Sequence, residues 1–115
     1  LDGATIAELQ EVMEDEFPQL LRPYLDNVPR HLAEMDSAAA AGDMEALARP
    51  AHSLKSSSAN VGAFKLSAIA RDIESAAREG RETDAMVAHA RFEPCLRQTT
   101  RQLDELIRRW WARSN

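Results

Sequence analysis

Apolar side chains in this chain recur at intervals of three and four residues, segment after segment, and that spacing commits it to helices. Leu21, Tyr24, Leu25, Val28, Leu32 and Met35 form one stripe in a segment from about Phe17 to Ala41. Pro18 suits a first helical turn, whereas Pro23 and Pro29 each remove a backbone bond and are expected to bend that helix. Gly42 stops it, and Asp43 caps a second stripe of Met44, Leu47, Ala51, Leu54 and Ser58, ended by Gly62. Leu66, Ile69, Ala70, Ile73 and Ala77 make a third, which closes at Gly80. The last, from about Asp84 to Arg113, carries Phe92, Leu96, Thr99, Leu103, Leu106 and Trp110, and Pro94 within it predicts a kink or a fresh start. A short segment before all of these, with Asp2 or Thr5 as N-cap and Ile6, Leu9 and Met13 on one face, adds a further helix.

Four amphipathic helices joined by short Gly-marked turns pack best as an all-α, antiparallel up-and-down four-helix bundle. The short additional N-terminal helix would cap one end. A length of 115 residues suits a single domain, residues 1–115, able to bury a core without disulfides or a structural metal. The low aromatic share, 5%, and the many alanines agree with helices, because Ala gives up no side-chain entropy on entering one.

Charge excludes one broad class of function. The formal net charge is −5, and the nearest approaches to a basic cluster, Arg97 with Arg101 and Arg108 with Arg109 and Arg113, read as a solvated helix face. Nucleic-acid binding needs clustered cations, so no nucleic-acid partner is expected. A lone Cys95 cannot form an internal disulfide, and no apolar run reaches the roughly eighteen residues of a membrane span. The chain opens at Leu1 rather than Met, which suggests a domain of a longer cytoplasmic protein, including the cytoplasmic portion of a membrane-bound sensor.

Chemistry gathers on the segment that Asp43 caps, about residues 43–61. With about 100° per residue, a core stripe centred on Leu47, Ala51, Leu54 and Ser58 turns His52 toward solvent. Lys55 and Ser56 lie one turn on, within about 5–6 Å, while Ala48 and Ala59 flank the same face. The histidine thus stands in a clearing of small side chains with one ammonium beside it. An imidazole with an ordinary pKa of about 6.5 is mostly neutral near pH 7, and neutral imidazole is a good nucleophile. Once phosphorylated it would carry a dianion that Lys55 can meet with a charge-assisted hydrogen bond. Such a surface histidine is more often inert, and His31 and His89 read as structural or solvated.

The run Ala51-His52-Ser53-Leu54-Lys55-Ser56-Ser57-Ser58-Ala59-Asn60-Val61-Gly62-Ala63 resembles the signature of histidine-containing phosphotransfer (HPt) domains. That pattern is His-x-Leu-Lys-Gly-Ser-Ser/Ala followed a few residues later by Gly-Ala, and the resemblance extends more loosely over most of the chain. It implies a phosphorelay intermediate of two-component signalling, as found in hybrid sensor histidine kinases. The phosphoryl group would pass from a receiver-domain aspartate to His52 and on to another receiver. It further implies Lys55 as the phosphate neighbour and Gly62 as the turn glycine, while the small residues Ala48, Ser56 and Ala59 around His52 are expected to form the receiver-docking surface. Two positions depart from the pattern. Ser56 stands where Gly is usual, and Pro50 sits inside the histidine helix, where it is expected to bend or restart it.

No nucleotide loop and no Mg²⁺-holding carboxylate set appear, so no kinase activity of its own is expected. The chain itself is expected to bind no cofactor and no metal, with Mg²⁺ belonging to the receiver partner. A carboxylate-bridged metal bundle would need Glu three residues before a histidine, and Val28, Arg49 and Met86 occupy those positions. Cys95 has no catalytic motif around it and reads as a partly buried small residue. The remaining alternative is a non-catalytic helical interaction module that kept a degenerate form of this surface.

Overall fold

The structure is a computed structural model and describes residues 17–114. Within them lie four helices: α1 (Phe17–Ala41), α2 (Met44–Asn60), α3 (Phe64–Arg78) and α4 (Glu82–Ser114). The expected short helix around Ile6, Leu9 and Met13 lies outside the described residues. Consecutive helices pack on one another and α1 also meets α4, which closes the four into an antiparallel bundle. The long axis measures 49 Å, which is what the 33 residues of α4 span at about 1.5 Å each.

Reversal at each turn follows from one backbone device. At the end of α2, Gly62 takes φ 78°, a left-handed conformation open to glycine at little steric cost. That lets its N–H bond the Ala59 carbonyl at 3.0 Å and the Ala63 N–H bond the Ser58 carbonyl at 2.8 Å. The same pair of bonds recurs after α1 and after α3, so each helix ends with its orphan carbonyls partly satisfied. Asp43 is the N-cap of α2, its carboxylate accepting from the Ala46 N–H at 3.1 Å.

The core is the set of stripes read from the sequence. Leu21, Met35, Leu47, Leu54, Leu66, Ile73, Phe92 and Leu103 are all but fully enclosed. Ile107 joins them, whereas the stripe members Leu25, Leu32, Met44, Leu106 and Trp110 are only half-buried. A polar pair lies inside this core. The hydroxyls of Tyr24 on α1 and Ser58 on α2 are 2.8 Å apart, and burial pushes the Tyr24 phenol up to about 12 despite that hydrogen bond.

Of the two outcomes expected at Pro50 and Pro94, a bend or a restart, the restart does not occur: α2 and α4 run unbroken through them. Pro94 orphans the carbonyl of Ala90, and both residues are exposed, so water can take that bond. Pro50 is instead buried. The last helix also begins at Glu82, ahead of the expected Asp84.

Candidate functional site

The extensive contact between α2 and α3 brings the middle of one against the end of the other. Ser67 on α3 donates its hydroxyl to the Lys55 carbonyl on α2 at 2.7 Å, which fixes the two at this level. One turn further up, the α2 face bearing His52 and Lys55 meets Glu74, a carboxylate at the edge of the apolar stripe of α3. Its side chain is only 9% exposed.

Burying a carboxylate costs several kcal/mol unless donors surround it, and here three do. Glu74 Oε1 accepts from Lys55 Nζ at 2.7 Å. Glu74 Oε2 accepts from His52 Nδ1 at 2.7 Å and from Arg78 Nε at 3.1 Å, with Arg78 Nη2 at 3.0 Å. Burial alone would raise the Glu74 carboxyl. The hydrogen bonds from Lys55, Arg78 and His52, with the charge of Lys55, outweigh it and bring the pKa down to about 2.

An ionised carboxylate can only accept, so the His52 Nδ1 carries the proton. The lone pair of the neutral ring is therefore on Nε2. The side chain remains 57% exposed. A ring held by one nitrogen from below, with the other free and the side chain open to solvent, is a nucleophile with its tautomer already selected.

The remaining sequence-stripe positions divide around this group. Lys55 is half-buried and turned onto Glu74, so the ammonium expected to stand open beside the ring is already engaged. Ser56 is exposed and Ala59 half-buried, both one or two turns beyond His52 on α2. Ala48 corrects an expectation: it is buried at 3% exposure and presents next to no surface to a partner. Gly62 is the turn glycine. His31 is half-buried on α1, and His89 Nε2 pairs with Asp36 Oδ1 at 2.9 Å, joining α4 to α1; neither belongs to the His52 cluster. Cys95 is half-buried.

Glu74 was missed in the sequence because the stripe of α3 was read for its apolar members alone. Two local signs marked it: an acidic residue directly after the core residue Ile73, and an arginine four residues on to pair with.

Comparison with known proteins bears on the same region. The model of the Hpt domain family matches residues 19–111. The crystal structure of histidine-containing phosphotransfer protein B (HptB) from Pseudomonas aeruginosa PAO1 is similar, with a TM-score of 0.87. It shares 34% sequence identity over 95% of each chain. No curated protein matches this chain. Hpt domains partner with receiver domains of response regulators in phosphorelays, and among the described residues no helix is long and apolar enough to cross a membrane. The chain belongs to the Hpt domain family and is a phosphorelay intermediate in two-component signalling.

Proposed function

We propose that His52 is the residue that carries the phosphoryl group, and that Nε2 is the atom that receives it. The observation that carries this reading is the bond from His52 Nδ1 to the buried Glu74 carboxylate, which leaves Nε2 as the nucleophilic nitrogen of an exposed ring. In the transfer, the Nε2 lone pair attacks the phosphorus of a receiver's aspartyl phosphate. The N–P bond forms, the P–O bond breaks, and the electron pair leaves with the aspartate carboxylate. The ring then holds both the Nδ1 proton and the phosphoryl group, and Glu74 balances its positive charge.

Lys55 is the cation nearest to the phosphoryl group in this reading. Ser56 and Ala59 are small enough to let a receiver approach in line with Nε2, while Ala48 acts beneath them as core. The Mg²⁺ and the second carboxylate come with the receiver, and this chain supplies position and charge. The setting is the cytoplasm, where receivers work, with this chain as part of a sensor kinase or of a relay protein.

The test is transfer itself. The purified domain is incubated with Mg²⁺ and a phosphate-loaded receiver, beside His52→Ala, and the product is read as an acid-labile, base-stable phosphoramidate. Label on the wild type and none on His52→Ala is expected, and Lys55→Gln should transfer more slowly or lose phosphate sooner. Label persisting on His52→Ala would overturn the assignment. A wild type that takes no label from several receivers would favour an interaction module without the chemistry.

A further inference from the structure

We infer that Glu74 sets how readily phosphorylated His52 gives up its phosphoryl group, by competing with that group for Lys55 and Arg78. The inference rests on His52 as the phosphorylated residue and concerns how that site is regulated.

In the unphosphorylated chain both cations are committed. Lys55 Nζ lies 2.7 Å from Glu74 Oε1, and Arg78 approaches Oε2 with Nε at 3.1 Å and Nη2 at 3.0 Å. The same Oε2 holds the imidazole at 2.7 Å, so one carboxylate ties the nucleophile and two cations into a single group. A phosphoryl group on Nε2 adds a dianion to the other side of that ring. It attracts Lys55 and Arg78 outward, while Glu74 holds them inward.

Both exposures suit a contest. Lys55 is 34% exposed and Arg78 58%, so each is free to swing toward solvent, whereas the carboxylate they leave is enclosed and loses its compensation when they go. Glu74 also retains the Nδ1 proton on the phosphorylated ring. When the next receiver's carboxylate attacks, the N–P bond breaks, its electron pair returns to Nε2, and the departing group is a neutral imidazole rather than an anion. Withheld cations and a protonated ring act together: the phosphoryl group is left short of neutralising charge and attached to a good leaving group. A relay intermediate needs that, because it must pass the group on.

Glu74→Gln separates these effects from structure. The amide is isosteric and its oxygen can still accept from Nδ1, but it carries no charge to hold Lys55 and Arg78. The experiment labels His52 with phosphoramidate, a small donor that needs no docked receiver, and follows loss of label at neutral pH. Glu74→Gln should lengthen the half-life about two- to fivefold, the size of a partly exposed charge contact. Lys55→Gln should shorten the half-life more in the Glu74→Gln background than in the wild type. A half-life unchanged or shortened by Glu74→Gln, or a Lys55→Gln effect equal in both backgrounds, overturns the inference. Wild type that takes no label on His52 from phosphoramidate would instead defeat the assignment of the phosphorylated residue, and this inference with it. Should Glu74→Gln fail to fold, the exposed Arg78 still decides. Arg78→Gln leaves Glu74 with Lys55 as its one remaining cation and should shorten the half-life of the label, and a half-life unchanged by Arg78→Gln overturns the competition.

Discussion

Glu74 concentrates the energetics of the site in one carboxylate, and its titration is accessible to measurement. Its carboxyl stands at about 2 in the folded chain against about 4.5 for an unperturbed Glu. The folded value is the depressed one, so the stabilisation is fully present above about pH 4.5 and is lost as pH falls from there toward about 2. Its size is on the order of 2 kcal/mol, discounted because Arg78 and His52 are open to solvent. Urea unfolding of the wild type should therefore weaken through that acid window, and Glu74→Gln should show a flatter profile there. Parallel profiles would show that other carboxylates carry the acid sensitivity. At the same scale His52→Ala, which removes an exposed ring and leaves Glu74 its two cations, should change stability by less than about 1 kcal/mol. Loss of transfer in that variant then reports chemistry and not unfolding.

Helix against helix, the bundle is held mostly by apolar stripes, with one buried hydroxyl pair to fix α1 against α2. Tyr24→Phe would leave the Ser58 hydroxyl buried and without its partner, at about 1–3 kcal/mol. Tyr24→Phe with Ser58→Ala should cost less than the two single changes summed, since no polar group is then stranded. A double-mutant cycle by chemical denaturation checks this, and additive costs would mean that the two hydroxyls do not interact. The prolines show at two places how a helix outlasts a local break. A lost backbone bond near Pro50 or Pro94 is a local cost, whereas continuity of α2 and α4 is set by stripes that pack along their whole length. Packing outweighs one missing bond, most easily where water reaches the orphaned carbonyl.

Taken as a whole, the molecule offers a receiver one open histidine on the side of a 49 Å rod, with small side chains further along the same helix. Docking is a property of that surface and not of the ring. Ser56→Trp should slow labelling by a phosphate-loaded receiver by more than it slows labelling by phosphoramidate, which needs no room for a protein partner. Equal slowing by both donors would place Ser56 at the chemistry of the ring and remove it from the docking surface. Ala48→Trp should unfold or loosen the bundle, since that position is enclosed.

The sequence alone determined the four helices, the glycine turns, the stripes that became the core, and His52 with Lys55 on one exposed side of one helix. All of these are local: periodicity, capping and left-handed glycine act within a few residues, and a wheel projection assigns each side chain to a face. Which residue of a neighbouring helix meets that face is not local. Glu74 lies 22 residues from His52, and only the register of α3 against α2, set by packing of both stripes at once, brings its carboxylate under the ring. Packing of the bundle also buried Ala48, which the wheel of α2 placed beside the histidine. The nucleophile was legible because its own helix exposes it; its tautomer, its cations and its partner carboxylate were decided by the helix packed beside it.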